Sequence, residues 1–516
     1  MSAVDQSLPP LYIDLIRQGA HEHADRVAII FGTQSRTYGQ VNALANQLAN
    51  ALIATGARYG EKLAILVDNG LLSIPLEFAC VKAGINRVPL NSRLSLDEQC
   101  KMLEETSCRF LIHGPDLAHR AENLKTAFPE LSFFGLGKTI SGGRDLLALA
   151  KEMNPDDPHV DAAADDIILT IFTSGTTGTL KAVQHTQASY AGICHNILLN
   201  LITVKPDDVM LHASSLIHAS GVFVLPFWVR GALSVIMSSF DVKEYLSLIE
   251  TAGVTTINLV PTMLQMLMEQ PEFETTDISR LRQVIYGASP MPRPILEKAM
   301  ALWGKERFWQ YYGQTECPLC ITVLRPEHHI KKRLDACGLP ASDVDIRLID
   351  DKGHDVAVGD IGEIVVRGPS MMVGYYNAPD LNAKTMMKDG WLRTRDMGQF
   401  DEDGFLYLRD RSSDMIITGG YNVYPREIED ILMAHPAILE CAVIGTPDTK
   451  WVEAVTAVIV LKPGCTVTDS ALISFVGRRV ASYKKPRKII RMGEIPKTVI
   501  GKLKRKALRD QINETS

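Results

Sequence analysis

The chain lacks an excess of charge of either sign. Its 516 residues include 54 Lys and Arg and 60 Asp and Glu, which leaves a formal net charge of −6. Proteins that bind nucleic acid or an anionic membrane surface through bulk electrostatics carry a clear positive excess. The charge balance therefore gives no support to a general nucleic-acid or membrane-surface binder.

Long uninterrupted apolar runs are also missing. The most apolar stretch, residues 221–237, contains Pro226 and Arg230 and is too short to span a bilayer. The amino terminus does not combine a basic segment with an apolar one, as a secretory signal would. We therefore expect neither a membrane span nor secretion.

The sequence has few cysteines at the spacings typical of disulfide or zinc-binding motifs. The 9 cysteines are dispersed and odd in number, which is not typical of a disulfide framework. Cys317 and Cys320 form a single C-x-x-C, and no second pair stands at a zinc-like spacing. We interpret these two residues as core or pocket thiols. Dispersed cysteines indicate a reducing compartment, so we expect a cytoplasmic location.

The sequence does contain enough apolar material for more than one core. Hydrophobic residues make up 46% of the chain and charged residues 22%, which are ordinary values for a globular protein. Helical periodicity over 40–54 and 73–83 alternates with short apolar runs at 62–67 and 167–172. This alternation predicts an α/β fold in which layered, mainly parallel sheets are covered by helices.

The pattern changes after residue 340. A small antiparallel β subdomain is predicted from three short strands separated by turn residues: 344–349, 362–367 and 404–408. A second unit of mixed elements follows: helix 425–435, strand 440–445, strand 454–461 and helix 469–478. We therefore predict a large amino-terminal domain over 1–411 and a small α+β domain over 412–516.

The strongest local signal is the Ser/Thr/Gly-rich loop of residues 173–181, Thr-Ser-Gly-Thr-Thr-Gly-Thr-Leu-Lys, which follows the predicted strand 167–172. Glycines allow a tight turn that presents backbone N–H groups, while hydroxyls and Lys181 add donors and positive charge, so the loop suits a polyphosphate. The Walker A spacing is not met, and Lys181 is followed by Ala182. This disfavours a conventional P-loop NTPase.

Further motifs extend this signal along nearly the whole chain. In order they are TSGTTG-x-x-K at 173–181, LIHASG at 216–221, VPT at 260–262, YGQTE at 312–316, GWLRTRD at 390–396, DR at 410–411 with GGYNVYP at 419–425, and PKT-x-x-GK at 496–502. The ordered set resembles the adenylate-forming superfamily, which includes acyl-CoA synthetases, adenylation domains and firefly luciferase. The order of the motifs is far more specific than any one of them.

The resemblance implies an ATP-dependent ligase. Such enzymes join a carboxylic acid to AMP, release pyrophosphate, and then pass the acyl group to CoA. It also implies that the small carboxyl-terminal domain is mobile, rotating between the two half-reactions, and that it carries the catalytic lysine, Lys502. ATP, Mg²⁺ and CoA are the expected cofactors. The sequence does not reveal the oligomeric state.

The resemblance also assigns roles to particular residues. Lys502 would bridge the acyl carboxylate and the ribose–phosphate region, Glu316 would bind Mg²⁺, and Thr315 would reach the α-phosphate. The ATP and AMP contacts would be Thr173, Ser174, Gly175, Thr176, Thr177, Gly178, Lys181, Gly287, Ala288, Ser289, Tyr312, Gly313, Asp396 and Arg411. The acyl pocket would include His218, Phe223, Gly313, Cys317 and Cys320. CoA or another acceptor would meet Gly419, Gly420, Trp451, Tyr483 and Lys485.

Several positions depart from the family pattern. Arg395 replaces a usual glycine, Gln187 a usual histidine and Val452 a usual glycine near the thiol route, and Ser413 stands at the hinge. A branched side chain at 452 would narrow the tunnel and favour an amine acceptor. An amide ligase that uses an amino acid therefore stays an alternative. A catalytically silent nucleotide-binding protein is a third, which intact Lys502 argues against.

Overall fold

A computed structural model of the chain describes residues 9–174, 180–217, 220–289, 291–411, 414–418, 421–448, 451–497 and 503–515. Within these ranges only the backbone is described for 174, 410–411, 421–422, 452 and 513–515. No helix in the described ranges combines the length and the apolar character needed to cross a membrane.

The helices of the described ranges are, in chain order, α1 (Tyr12–Glu22), α2 (Tyr38–Ala54), α3 (Ser73–Lys82), α4 (Leu96–Thr106), α5 (Ala118–Ala127), α6 (Leu146–Lys151), α7 (Gln187–Asn200), α8 (Val224–Val229), α9 (Val242–Thr251), α10 (Pro261–Met268), α11 (Arg293–Trp303), α12 (Pro379–Thr385), α13 (Pro425–Met433), α14 (Asp469–Gly477) and α15 (Arg505–Thr515). The helices predicted at 40–54, 73–83, 425–435 and 469–478 are confirmed as α2, α3, α13 and α14.

The strands of the same ranges are β1 (Val27–Phe31), β2 (Gln34–Thr37), β3 (Lys62–Leu66), β4 (Asn86–Pro89), β5 (Phe110–His113), β6 (Ser132–Gly135), β7 (Arg144–Asp145), β8 (Ile167–Ser174), β9 (Leu180–Thr186), β10 (Val209–His212), β11 (Leu233–Ile236), β12 (Thr256–Leu259), β13 (Gln283–Gly287), β14 (Phe308–Gln314), β15 (Cys317–Leu324), β16 (Leu339–Pro340), β17 (Asp345–Ile349), β18 (Gly362–Arg367), β19 (Gly374–Tyr375), β20 (Leu392–Phe400), β21 (Leu406–Arg411), β22 (Ile416–Thr418), β23 (Tyr421–Val423), β24 (Ile438–Asp448), β25 (Val452–Leu461) and β26 (Lys488–Arg491).

Two large sheets form the amino-terminal region. In the described ranges one has nine strands in the order β16-β15-β14-β13-β12-β10-β11-β1-β2, and the other has eight in the order β19-β9-β8-β4-β3-β5-β6-β7. The central strands of both sheets run parallel, and antiparallel pairs such as β14–β15 and β8–β9 lie toward their edges. The predicted mainly parallel architecture is therefore confirmed.

The core between the two large sheets is organised around α7. Ten of its 14 residues are buried, and they point to several sides, as expected of a helix largely enclosed by other elements. Ile197 of α7 belongs to the same apolar cluster as Ile171 of β8 and Ile285 of β13. The helix begins directly after β9 because the Thr186 hydroxyl accepts the Ser189 N–H at 3.1 Å. The strand that leaves the phosphate loop thus runs straight into the central helix.

The remaining strands form two smaller sheets. The antiparallel sheet β17-β18-β20-β21 is the predicted β subdomain, but the nine-residue strand β20 was not anticipated and β21 starts two residues later than predicted. The carboxyl-terminal sheet β23-β22-β25-β24, with β26 paired to β25, has α13 and α14 against one apolar cluster and α15 against another. The small α+β unit at the carboxyl end is therefore confirmed.

Candidate active site

The phosphate-loop motif lies in a β-hairpin. In β8 and β9 the Cα partners are Thr173 with Lys181 and Ser174 with Leu180, so β8 ends and β9 begins next to one another. The predicted contacts Gly175, Thr176, Thr177 and Gly178 lie outside the described residues, as does the Ser174 side chain. The hairpin nevertheless places the half-buried Thr173 and Lys181 side by side at the base of the loop.

The YGQTE motif forms a second hairpin, between β14 and β15. Gln314 pairs with Cys317, which leaves Thr315 and Glu316 as a two-residue turn of half-buried side chains. A Cβ on Gly313 would collide with the backbone of Leu319, whose φ is +58°. Only glycine fits at 313, because the two strands approach so closely here.

The Thr315–Glu316 turn is held from the opposite sheet. The Tyr375 hydroxyl donates to Glu316 Oε1 at 2.7 Å, and the Met372 N–H donates to the Glu316 carbonyl at 2.8 Å. His185 Nε2 lies 2.8 Å from the Thr315 carbonyl oxygen. These three contacts come from β9 and from the segment around β19, which pairs with β9. The phosphate hairpin and the Thr315–Glu316 turn are therefore mechanically joined.

His185 is neutral at physiological pH. It is buried, and burial lowers its pKa to about 4. Because a carbonyl oxygen can only accept, Nε2 carries the proton and donates to Thr315, while Nδ1 accepts from the Ser189 hydroxyl at 3.2 Å. No sequence motif includes His185, and a lone histidine in a strand carries no signal that would have revealed this contact.

Tyr312 and Asp396 meet between the nine-stranded sheet and β20. The Tyr312 hydroxyl donates to Asp396 Oδ2 at 2.6 Å, and both residues are buried. Burial, and then the Asp396 carboxylate, raise the pKa of Tyr312 well above its usual value, so the phenol stays a donor. Asp396 is the Cα partner of Arg411 in β21, although the Arg411 side chain lies outside the described residues.

The predicted adenine slot lies at the carboxyl end of β13. Gly287 pairs with Tyr311, and a Cβ on Gly287 would stand 2.5 Å from the Tyr311 carbonyl oxygen. Ala288 has a φ of +65°, so the chain turns sharply before Ser289. The parallel strands β12, β13 and β14 end next to one another here. The carboxyl ends of parallel strands are the usual crevice for a ligand in α/β sheets.

Three of the predicted acyl-pocket residues belong to the main apolar core of the amino-terminal region. Phe223, Cys317 and Cys320 are buried in it with Tyr311. Burial raises the pKa of Cys317 to about 12 and that of Cys320 well above its usual value, so both thiols are protonated. This agrees with core or pocket thiols. His218 lies outside the described residues.

The predicted acceptor residues are distributed over the carboxyl-terminal unit. The Arg487 guanidinium carbon stands 3.9 Å from the ring centroid of Trp451, a cation–π contact. Near Tyr483 the adjacent cation is Lys484, whose Nζ also lies 2.7 Å from Glu427. The carbons of the Lys485 side chain pass close to Gly477. Two cations beside these rings, Arg487 and Lys484, were thus missed by sequence reasoning. Gly419, Gly420 and Lys502 lie outside the described residues.

Arg395 occupies a left-handed backbone position, with a φ of +64°. Residues with a Cβ are strained there by roughly 1 kcal/mol, which accounts for the usual glycine of the motif. We expect Arg395→Gly to have a free energy of unfolding about 1 kcal/mol higher than that of Arg395→Ala, since both lose the side chain but only glycine relieves the strain. Denaturant unfolding of the two variants measures the difference; equal stabilities would contradict it.

The site also fits a magnesium ion that is shared with a nucleotide. Among the described residues no three His, Cys, Asp or Glu side chains group closely enough to hold a metal by themselves. Mg²⁺ is usually bound through one or two carboxylates together with substrate phosphates and water. The half-buried Glu316, with its Oε1 already fixed by Tyr375, is such a carboxylate.

Two family models match most of the chain. One, described as AMP-binding enzyme, matches residues 16–376, and the other, described as AMP-binding enzyme C-terminal domain, matches residues 427–502. The first ends after β19, and the second spans β24, β25 and the PKT-x-x-GK motif. The matches thus include the hairpins that carry the site.

Characterised proteins resemble the chain over nearly its full length. A medium/long-chain-fatty-acid–CoA ligase of Mycobacterium tuberculosis is 35% identical, with 94% of this chain and 87% of that protein covered. A feruloyl-CoA synthase of an Amycolatopsis species is 33% identical, with 92% and 94% covered. The structure of an amide bond synthetase from Marinactinospora thermotolerans superposes with a TM-score of 0.88 at 29% identity and covers 97% of this chain and 99% of that one.

Proposed function

The chain belongs to the AMP-binding enzyme family and is an ATP-dependent, AMP-forming acid–CoA ligase, and we propose that it activates a medium-sized apolar or aromatic carboxylic acid. Phe223, Cys317 and Cys320, which are buried in the main apolar core, support this substrate class because their side chains are apolar or small. The fatty-acid and feruloyl ligases among its relatives act on acids with a large apolar part.

One observation carries the proposal: the two hairpins and β20 bring their motifs to one place. Lys181 at the base of the phosphate loop and the Glu316 carboxylate both contact Tyr375, whose ring lies 5.6 Å from Lys181 Nζ. Tyr312, on the strand that leads to this turn, donates to Asp396. A cation and a carboxylate of the kind that binds Mg²⁺ thus share one tyrosine, and a buried carboxylate is held by the strand that leads to the turn; this set of charges suits a nucleotide triphosphate.

In the proposed mechanism the protein mainly positions and neutralises charge. An acyl carboxylate oxygen attacks the α-phosphorus, and the bond to pyrophosphate breaks, so an anion must approach a polyanion. Thr173 and Lys181 would hold the β- and γ-phosphates, and Thr315 would bond the α-phosphate. Lys502 would offset the negative charge that builds up on the reacting oxygens.

The base and ribose would lie on the other side of the turn. The Gly287-Ala288-Ser289 bend and Tyr312 would flank the adenine, while Asp396 would accept from the ribose hydroxyls, with Arg411 supporting it. Asp396 is buried and is already oriented by the Tyr312 hydroxyl. A carboxylate held in this way loses little freedom when the ribose binds.

Glu316 would hold Mg²⁺ together with phosphate oxygens. When bound, the ion would neutralise charge on the triphosphate and favour the departure of pyrophosphate. The contribution of the chain is to keep the carboxylate in place. His185 and Tyr375 serve this purpose, because they fix the backbone and the side chain of the turn.

The domain division and the acceptor site belong to the same proposal. β21 ends at Arg411, and β22 opens the carboxyl-terminal sheet at Ile416, which supports a boundary between 1–411 and 412–516. In the second half-reaction we expect the small domain to turn, to withdraw Lys502 and to present Trp451 and Tyr483 to CoA. The cytoplasmic location stays a prediction.

Transfer to an amine is the second candidate. The structural likeness to an amide bond synthetase favours it, as does Val452, which stands in β25 where the family pattern has glycine. Residue 452 is the Cα partner of Asp448 and Thr418, so it sits at the junction of three strands. A branched side chain there would narrow the route that the thiol of CoA must take.

Product analysis separates the two candidates. The protein is incubated with ATP, Mg²⁺ and a panel of fatty, cinnamic and other aryl acids, and pyrophosphate release identifies the acid. CoA or amino acids are then added, and the products are identified by mass. Acyl-CoA as the main product supports transfer to CoA, and amides formed without CoA support transfer to an amine. Release of no acid-dependent pyrophosphate across the panel would overturn the proposed substrate class.

A further inference from the structure

Tyr375 connects two charged side chains that the proposed function assigns to different parts of the nucleotide. It lies in β19, which pairs with β9, the strand that leaves the phosphate loop. Its hydroxyl donates to Glu316 Oε1 at 2.7 Å, while Lys181 Nζ lies 5.6 Å from the centroid of its ring. The residue is 6% exposed. One buried aromatic side chain thus contacts both the carboxylate expected to bind the metal and the cation expected to bind phosphate.

The hydroxyl restricts the carboxylate of Glu316. A glutamate side chain has three rotatable bonds, and a half-buried one at a turn would sample several rotamers. A hydrogen bond from a phenol to one carboxylate oxygen is charge-assisted and is therefore stronger than a neutral one. Since Tyr375 donates to Oε1, its hydrogen bond leaves Oε2 able to accept a further ligand.

The ring restricts Lys181 in a different way. An ammonium within about 6 Å of an aromatic centroid is attracted by the negative face of the ring. Lys181 is paired across the hairpin with Thr173, at the base of the loop. The ring of Tyr375 therefore restrains Lys181 while its hydroxyl restrains Glu316, so one side chain acts on both charges.

We propose that Tyr375 is a positioning residue for nucleotide activation: it holds Glu316 ready for the metal and Lys181 ready for the phosphates. The inference rests on the proposed function, since it takes the roles of Glu316 and Lys181 from it. It predicts that the coupling between the metal and the nucleotide depends on the Tyr375 hydroxyl, although the hydroxyl touches neither.

The test is Tyr375→Phe, which removes the hydroxyl and keeps the ring. We expect the Mg²⁺ concentration for half-maximal pyrophosphate release to rise about tenfold, with a smaller fall in kcat. A second readout does not depend on turnover. Calorimetric titration with a non-hydrolysable ATP analogue, with and without Mg²⁺, measures the gain in affinity that Mg²⁺ causes. We expect this gain to be about tenfold larger for the wild-type protein than for the variant.

Tyr376→Phe is the matched control. Tyr376 is the next residue, and its hydroxyl accepts from Lys62 Nζ at 3.0 Å, so this variant also loses one tyrosine hydrogen bond. We expect its metal dependence to equal that of wild type. In the Glu316→Gln background, Tyr375→Phe should have no further effect on the metal dependence, because the carboxylate it positions has gone.

The inference is overturned if Tyr375→Phe keeps the wild-type gain in analogue affinity on adding Mg²⁺, or if Tyr376→Phe loses as much of that gain. It is also overturned if Tyr375→Phe acts equally in the Glu316→Gln background. If the proposed function is wrong, the wild-type protein itself will release no pyrophosphate with any acid. The calorimetric comparison still reports on Tyr375 in that case.

Discussion

Replacing Lys502 with alanine is expected to lower acyl-adenylate formation by about 10²–10³-fold, the usual effect of removing one group that neutralises charge in a transition state. The residue closes the PKT-x-x-GK motif, and its ammonium would face the oxygens on which negative charge grows. ATP–pyrophosphate exchange with the cognate acid measures this half-reaction directly. Transfer from a pre-formed acyl-adenylate should change far less, since Lys502 would be withdrawn in that step.

The residues around Lys502 indicate that the variant will fold. Lys497 and Leu503 form an antiparallel bridge, and the Lys504 N–H donates to the Pro496 carbonyl at 2.9 Å, so the ends of the 498–502 segment are held together. On either side, Ile495 and Leu508 are buried in the carboxyl-terminal core. These contacts use residues other than Lys502, so we expect the substitution to leave them in place.

Lys504→Ala is the control for general loss of basic charge. Lys504 is exposed, and its contact with Pro496 uses the backbone N–H, which the substitution leaves in place. We expect near-wild-type exchange from this variant. Near-normal exchange from Lys502→Ala, or an equal loss from Lys504→Ala, would contradict the assignment of Lys502.

The helices and the buried parallel strands could be predicted because their signals are local. The predicted helix 469–478 is observed as Asp469–Gly477, where the Thr468 hydroxyl caps the Ala471 N–H at 3.2 Å and Leu472 and Val476 face the core. Cap, apolar period and stop all lie within a dozen neighbouring residues. Such elements can therefore be predicted from a short stretch of sequence alone.

Strands defined by distant partners were not predictable in the same way. β19 has only two residues, too few to show any alternation, and it exists because it pairs with β9 at Val183 and Gln184. β20 buries every second residue from Leu392 to Gly398, but the other buried residues, Thr394, Asp396 and Gly398, are polar or small, so the sequence shows no apolar alternation. Its register with β18 and β21 also shifts on both sides. No local pattern could place either strand.

In the candidate site, too, the sequence indicates the residues of local motifs but not the distant residues that contact them. The motifs predicted which residues gather around the nucleotide, and this assignment stays a prediction. Among the described members, the Tyr312 hydroxyl donates to Asp396, and Glu316 accepts from Tyr375. The groups that hold them did not appear, because Tyr375 contacts Glu316 across 59 positions and His185 contacts Thr315 across 130. Such pairings arise from the packing of two sheets, and only the structure reveals them.

Asp396→Ala is expected to lower kcat/KM for ATP by about 100-fold, chiefly through KM. Two hydrogen bonds from ribose hydroxyls to a buried carboxylate would be lost, each worth roughly 1.5–3 kcal/mol for a charged acceptor, less what water restores. The Tyr312 hydroxyl, 2.6 Å from Asp396 Oδ2, would also lose this acceptor. We therefore expect a fall of about 1–3 kcal/mol in the free energy of unfolding as well.

The assignment of Asp396 to the ribose can be tested by nucleotide preference, which a loss of stability alone would not change. If Asp396 accepts from the 2′-hydroxyl, the wild-type protein should bind ATP more tightly than 2′-deoxy-ATP, and Asp396→Ala should bind the two nucleotides alike. Tyr312→Phe is the matched control, because it removes the other half of the same hydrogen bond and leaves the carboxylate. It should keep the preference for ATP. An Asp396→Ala variant that still discriminates between the nucleotides would exclude this carboxylate as the ribose acceptor.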